Sequence, residues 1–222
     1  NGLAVTAAVA AMHAGVDRID TAFGPMAGAT SQPPVEILAW FADEMGIKVV
    51  PEDRQLFPKI GEELRAIRTE LAAVDKDAGK LPKPIPVKVP AAIKKHVAAA
   101  ASLIANGDVV SMEKAMTIIE GEIMGEYGYP AAEKGQLDAQ VPGGMISNLY
   151  NQLKEVGQLE NLPKILEEIP RVRRDAGYVP LVTPTSQIVG SQAAFNVNCK
   201  EAYKITSQEF RDLVIGKYGR TP

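Results

Sequence analysis

Cysteine is nearly absent: Cys199 stands alone in 222 residues. No disulfide can form within the chain, and a single thiol fits a reducing compartment, so the cytoplasm is the expected location. Histidine is almost as scarce, with His13 on an alanine-rich segment and His96 after Lys94-Lys95. Neither stands in a cluster with metal-ligand spacing, so both read as ordinary side chains. Long apolar runs are missing too, and none reaches the roughly 20 residues a membrane span needs. The run from Ala4 to Ala11 is too short, and it has no basic flank to make it a signal peptide. Nor is there a charge excess. A net charge of -3 gives no electrostatic case for nucleic acid or an anionic membrane.

What is present is ordinary globular material: 46% apolar and 23% charged residues, enough for one large or two modest domains. The first residue is Asn, so the chain is expected to be a fragment that begins inside a domain.

Residues 1–50 read as alternating elements. Ala4 to His13 suits a buried helix stopped by Gly15, and Val16 to Phe23 reads as a short strand. Pro34 opens a second helix, where a missing N–H costs nothing. Val35, Leu38, Phe41 and Met45 lie at helical spacing, and Gly46 ends the run. Helix, strand, loop, helix is the grammar of a parallel α/β protein.

After Pro51 the pattern becomes helical. Leu56, Ile60, Leu64, Ile67, Leu71 and Val74 form one stripe. Four prolines between Lys80 and Pro90 forbid a helix and favour an extended linker. Ile93, Val97, Ala101 and Ile104 form a second stripe, and Met112, Met116, Ile119 and Ile123 a third. Further on, Leu162, Ile165, Leu166, Ile169 and Val172 share a face behind Asn161, a candidate N-cap. Ser147 and Ser186 are expected to cap the helices that follow them, and Thr206 with Glu209 has the form of a capping box.

Three passages break these patterns with Gly, Pro and small polar residues. They are Met26-Ala-Gly-Ala-Thr-Ser-Gln-Pro33, Gln140-Val-Pro-Gly-Gly-Met-Ile-Ser-Asn-Leu149 and Leu181-Val-Thr-Pro-Thr-Ser-Gln-Ile-Val-Gly-Ser-Gln-Ala-Ala-Phe-Asn-Val197. In the first, with Gly24-Pro25 just before it, Gly24 and Gly28 let backbone approach a ligand, and the Thr30 hydroxyl both donates and accepts. Taken without context, Thr30 is as well explained as a loop or capping residue.

Together the three passages resemble the carboxyltransferase component of biotin-dependent enzymes. That family includes the oxaloacetate decarboxylase alpha subunit, pyruvate carboxylase and transcarboxylase subunits. The resemblance covers residues 1–75 and 136–222. It implies an α/β fold class: the C-terminal part of a TIM (β/α)8 barrel over 1–50, then a mostly α-helical domain over 51–222. Residues 86–135 have no clear counterpart and are expected to be a helical insertion.

The resemblance also implies the chemistry. Carboxyl would pass between biotin and pyruvate or oxaloacetate through enolpyruvate. Thr30 matches the family's proton-relay threonine, with Gly28, Ser31 and Gln32 as substrate- or biotin-binding neighbours. The family's divalent metal (Zn, Mn or Co) is held by a His-x-His pair, an aspartate and a carbamylated lysine. None of these falls in this chain; the histidines would lie just upstream of Asn1. Biotin would arrive on a partner domain or subunit, because no Ala-Met-Lys-Met-like attachment site occurs and Lys88 is flanked by prolines. Expected partners are a biotin carboxyl carrier domain, the remaining part of the barrel, a second copy in a homo-oligomer, and a biotin carboxylase or membrane decarboxylase subunit.

Two other readings stand beside this one. A metal-dependent Claisen-type acyl-CoA synthase or lyase shares the opening Gly-Leu-Ala-Val but carries a different loop in place of residues 26–33. A non-catalytic module docking a biotin carrier or another protein of the assembly would use residues 86–135.

Overall fold

Runs of Ala, Val, Ile and Leu closed by Gly become helices nearly everywhere they occur. A computed structural model describes residues 3–49, 54–74, 81–131, 141–199 and 201–219. Two compact units divide the chain, 2–132 and 133–222.

In the first unit, helix α1 (Ala4–His13) buries Val5 and Val9. Helix α2 (Val35–Glu44) buries every residue from Glu36 to Ala42. A helix covered on all sides needs apolar residues all round, and Ile-Leu-Ala-Trp-Phe-Ala supplies them. Helix α3 (Phe57–Val74) packs by its first turn, where Phe57 meets Phe23 edge to face at 5.3 Å. Its later stripe is not core: Ile67 and Leu71 are 48% and 55% exposed.

The proline-rich stretch 81–90 is non-helical, as four missing N–H groups require. It packs rather than dangles. The Trp40 indole N–H donates to the Pro86 and Val87 carbonyls at 3.2 and 3.1 Å, and Ile85 and Val89 lie against the core. Helix α4 (Ala91–Asn106) buries its whole expected stripe, Ile93, Val97, Ala101 and Ile104. Helix α5 (Val109–Ile118) starts at Asp108, whose carboxylate accepts from the Ser111 N–H at 2.9 Å. It runs on into a π turn (Ile119–Met124) and a 3-10 turn (Gly125–Tyr127). Buried side chains of α1, α2, α4 and this π turn form one core.

The expected strand Val16 to Phe23 is not formed. Among the described residues only Ala22 pairs, in an isolated parallel bridge to Pro34. A strand exists by pairing its N–H and C=O groups with neighbours. Here one bridge uses the Ala22 N–H, which donates to the Pro33 carbonyl at 3.1 Å, and the Ala22 carbonyl, which accepts from the Val35 N–H at 2.9 Å. The described residues are thus mostly helical, and the barrel part of the expected fold class is not seen in them.

In the second unit, helix α6 (Gly143–Glu155) begins directly behind Pro142. Ser147 is therefore interior rather than a cap; its hydroxyl donates back to the Gly143 carbonyl at 3.3 Å. Helix α7 (Leu162–Asp175) follows Asn161 and buries Ile165, Ile169 and Val172. Helix α8 (Thr185–Cys199) holds Ser186 buried inside its first turn, so Ser186 is not the expected cap. Helix α9 (Gln208–Val214) is capped by Ser207, not Thr206: the Ser207 hydroxyl accepts from the Phe210 N–H at 3.0 Å. Thr206 instead accepts from Arg211 Nε at 2.8 Å. The two Gly-Pro passages of this unit meet each other. Gly190 of α8 faces Met145 and Leu149 of α6, and a Cβ there would sit 2.6 Å from Met145 Cε. Among the described residues no helix is long and apolar enough to cross a membrane.

Candidate functional site

The loop from Ala22 to Pro34 begins and ends at the same bridge, so it is closed at its base like an Ω-loop. Its entry is a 3-10 turn (Gly24–Met26) in which the Ala27 N–H donates to the Gly24 carbonyl at 3.2 Å. Its tip is a tight turn. The Gly28 N–H donates to the Gln32 carbonyl at 2.9 Å, and the Ser31 N–H donates to the Gly28 carbonyl at 2.8 Å. Thr30, Ser31 and Gln32 are exposed on this tip, and Gly28 is half-buried beneath them. The structure brings all four expected site residues into one turn.

Two side chains outside the loop fix its entry. Glu36, buried in the first turn of α2, accepts from the Gly24 N–H with both carboxylate oxygens at 3.1 Å. The Tyr129 hydroxyl donates to the Gly24 carbonyl at 2.7 Å from 105 residues away. Gly24 is thus held at both its N–H and its C=O. The Tyr129 ring also lies directly under Gly28, which adopts φ +81; a Cβ there would be 2.4 Å from the ring. Only glycine satisfies both the left-handed backbone and that approach. The neighbouring Ala29 also has positive φ, at 47, a conformation non-glycine residues rarely take. Behind the loop, between Gly28, Pro33, Met124 and Tyr129, the cavity is only about 20 Å³, so little space lets it collapse inward.

Burial sets the electrostatics. Desolvation raises the Glu36 carboxyl above its ordinary value near 4.5, against the opposing pull of the Gly24 N–H. Burial, and then the nearby Glu36 charge, push the Tyr129 phenol well up, so it stays a donor throughout the working range. Neither residue was singled out by sequence patterns. Glu36 carries a signal in retrospect: it is the one charged residue in the otherwise apolar run Val35 to Ala42. Tyr129, between Gly128 and Pro130, carries none that points 105 residues back.

Other chemistry-bearing groups lie apart. His13 and Glu44 line a groove of about 500 Å³ at the C-terminal ends of α1 and α2, which contains none of the loop residues. His96 pairs only loosely with Glu122, at 3.9 Å. Cys199 is half-buried and Lys88 exposed. Among the described residues no three His, Cys, Asp or Glu side chains are placed to hold a metal ion.

Residues 137–222 match the conserved carboxylase domain. Over all of its length the chain is 36% identical to a pyruvate carboxylase subunit of Methanocaldococcus jannaschii, of which it covers 30%. It is 48% identical to the 2-oxoglutarate carboxylase large subunit of Hydrogenobacter thermophilus over 44% of the chain and 15% of that protein. It is 50% identical to the methylmalonyl-CoA carboxyltransferase 5S subunit of Propionibacterium freudenreichii over 38% of the chain and 16% of that protein. The chain thus spans about a third or less of these relatives. Along its whole length, then, the chain is similar to part of a pyruvate carboxylase subunit, and its residues 137–222 carry the conserved carboxylase domain.

Proposed function

We propose that this chain takes part in carboxyl transfer between biotin and pyruvate or oxaloacetate, with enolpyruvate as the intermediate and Thr30 as the catalytic residue. One observation carries the reading. Thr30 is exposed at the tip of a loop whose entry, at Gly24, is held by Glu36 and by the distant Tyr129, whose ring also lies against Gly28. A proton relay needs that combination: access to the reacting atoms and a fixed position.

Residues 1–50 are then the closing portion of a TIM barrel and 51–222 a helical domain, with 86–135 inserted in it. Biotin, when bound, supplies a ureido nitrogen that carries the carboxyl group. In the carboxylating direction Thr30 Oγ takes a proton from the pyruvate methyl and delivers its own to that nitrogen as the carboxyl group leaves it. In the decarboxylating direction both transfers reverse. A hydroxyl performs either without holding charge, because it donates and accepts at once. Gly28 makes the left-handed turn beneath the tip, and Ser31 and Gln32 offer polar groups on its exposed side. The partners of this reading are a biotin carboxyl carrier domain, the rest of the barrel, a second copy of the chain, and a biotin carboxylase or membrane decarboxylase subunit.

The test is Thr30→Ala in the intact enzyme. Carboxyl transfer is expected to fall at least about 100-fold, the scale of a lost acid–base group, with the thermal midpoint unchanged. Normal oxaloacetate decarboxylation by that variant would refute the assignment.

A further inference from the structure

The groups that hold the Thr30 loop do not all come from its own neighbourhood. Tyr129 belongs to the stretch that follows α5. That stretch is itself anchored on several sides. The Tyr129 N–H donates to the Met124 carbonyl at 3.2 Å, and the Gly128 N–H to the Gly125 carbonyl at 2.9 Å. The Tyr127 carbonyl accepts from the Lys83 N–H at 2.8 Å, and the Tyr127 ring packs on Trp40 at 5.7 Å. Met124, Tyr127 and Tyr129 are all buried in the core that α4 and the π turn build. The phenol is therefore delivered to Gly24 by a rigid support, with its position set by α4, α5 and the turn after them.

The contact is also specific in chemistry. Gly24 O accepts from Tyr129 and from the Ala27 N–H, so both lone pairs of that carbonyl are used. A side chain at Gly24 would be tightly surrounded: its Cβ would lie 3.0 Å from Ile85 Cδ1 and 3.5 Å from the Tyr129 hydroxyl. Ile85, like Tyr129, comes from 81–131. From one side the hydroxyl sets the height of the loop's entry, and from the other the ring sets the height of its tip at Gly28, two residues before Thr30.

We infer that Tyr129 is a positioning residue for Thr30, so that the segment that carries it, 91–129, is a working part of the carboxyltransferase site and not only an added docking surface. This rests on Thr30 being the proton relay. Tyr129 touches no reacting atom; it acts by holding the Gly24–Gly28 backbone at one height. Loss of its hydroxyl leaves the ring under Gly28 and the core intact but frees the loop's entry. A shift well under 1 Å then costs rate at Thr30 and leaves keto-acid binding alone.

The experiment compares Tyr129→Phe, Thr30→Ala and Tyr203→Phe in the intact enzyme, following kcat and KM for oxaloacetate together with the thermal midpoint. Tyr203→Phe is the control. It removes a comparable hydroxyl bond, to Asp175 at 2.6 Å, within residues 133–222. Tyr129→Phe is expected to lower kcat about ten-fold with KM within about two-fold and the midpoint nearly unmoved. Tyr203→Phe is expected to leave kcat unchanged. If Thr30→Ala abolishes transfer while Tyr129→Phe keeps the parent kcat, the positioning role is overturned and the relay stands. A Tyr129→Phe enzyme that loses rate only in proportion to lost folding, or that raises KM alone, overturns it too. If Thr30→Ala keeps normal rates, the relay itself is wrong, whatever Tyr129→Phe does.

Discussion

Gly28→Ala separates the two reasons for glycine at that position. One reason is conformational: φ +81 costs an L-residue about 1–2 kcal/mol. The other is steric: the new Cβ would lie 2.4 Å from Cδ1 and 2.7 Å from Cε1 of Tyr129. An aromatic ring, unlike a methyl at the end of a flexible chain, has no low-cost way to yield. Overpacking of this kind adds about 1–3 kcal/mol, giving about 2–5 kcal/mol in all. Gly15→Ala supplies the comparison, because Gly15 has nearly the same φ, +84, and nothing within 4 Å of its Cβ position. It meets only the conformational cost. The difference between the two variants, about 1–3 kcal/mol, is the worth of the ring contact.

Trp40 is the one tryptophan of the chain and is buried among residues 2–132, so its fluorescence reports the unit that holds both glycines. Urea unfolding followed at Trp40, with the slope checked for constancy, gives both numbers. A second pair, Gly28→Ala with and without Tyr129→Ala, should recover the steric part and not the conformational part. Equal midpoints for Gly15→Ala and Gly28→Ala would refute the reasoning, because the ring would then exert no force on the loop.

Two further predictions follow from the same kind of accounting. Gly190→Ala should fall within about 1 kcal/mol of the parent in urea unfolding. The helix gains about 1 kcal/mol on replacing Gly by Ala, and the atom in the way, Met145 Cε at 2.6 Å, is the mobile end of its side chain. Gly190→Leu should cost about 2 kcal/mol or more, since Leu149 Cδ2 also lies 3.6 Å from the Cβ position and leaves no space for a longer side chain; equal tolerance of Ala and Leu would mean that α6 and α8 do not meet there. Glu36 gives a pH dependence. Its folded carboxyl is raised above 4.5, so the folded chain binds more protons than the unfolded one just above that value. Its contribution to stability is present below about 4.5 and is lost as pH rises through the raised value. Glu36→Gln removes that slope, and the thermal midpoint of the variant relative to the parent should rise between about pH 4 and about pH 7. Parallel curves for the two proteins would show that burial does not govern this carboxyl.

Helices were legible where one face is apolar and a glycine follows. Ala4–His13 emerges as its Ala- and Val-rich composition implies, and the α4 stripe emerges with the residues that periodicity picks out. The caps were less legible, because Ser147, Ser186 and Thr206 each have a hydroxyl that can bond backward within a helix or to a neighbour as readily as forward at an N-terminus. The α3 stripe reads as core by spacing, yet Ile67 and Leu71 are largely exposed. Periodicity says which residues share a face, and it does not say what covers that face. The strand Val16 to Phe23 failed for a related reason. Strand formation depends on partners elsewhere in the chain, and within 2–132 one bridge at Ala22 is all this segment finds among the described residues. The proposed site residues Gly28, Thr30, Ser31 and Gln32 were open to sequence reading because they are contiguous. Glu36 and Tyr129 were not, because their role is set by contacts spanning 12 and 105 residues.

The Gly-rich passages therefore divide into two physical kinds. At Gly190 the missing side chain admits a methionine methyl from the facing helix, so glycine there is a packing device and the passage around it needs no ligand to explain it. At Gly28 the missing side chain admits an aromatic ring on one side while the backbone turns left-handed to present Thr30 on the other. Packing alone does not call for that arrangement. A loop whose only task was to join Ala22 to Pro34 could be shorter, since the bridge already brings those residues together. Instead the chain spends a buried carboxylate and a buried phenol on one glycine. Each removes a group from water, and the Glu36 shift is the visible cost. What the molecule gains is a fixed backbone beneath three exposed polar residues, and a fixed backbone is worth that cost only where something must meet those residues in one geometry.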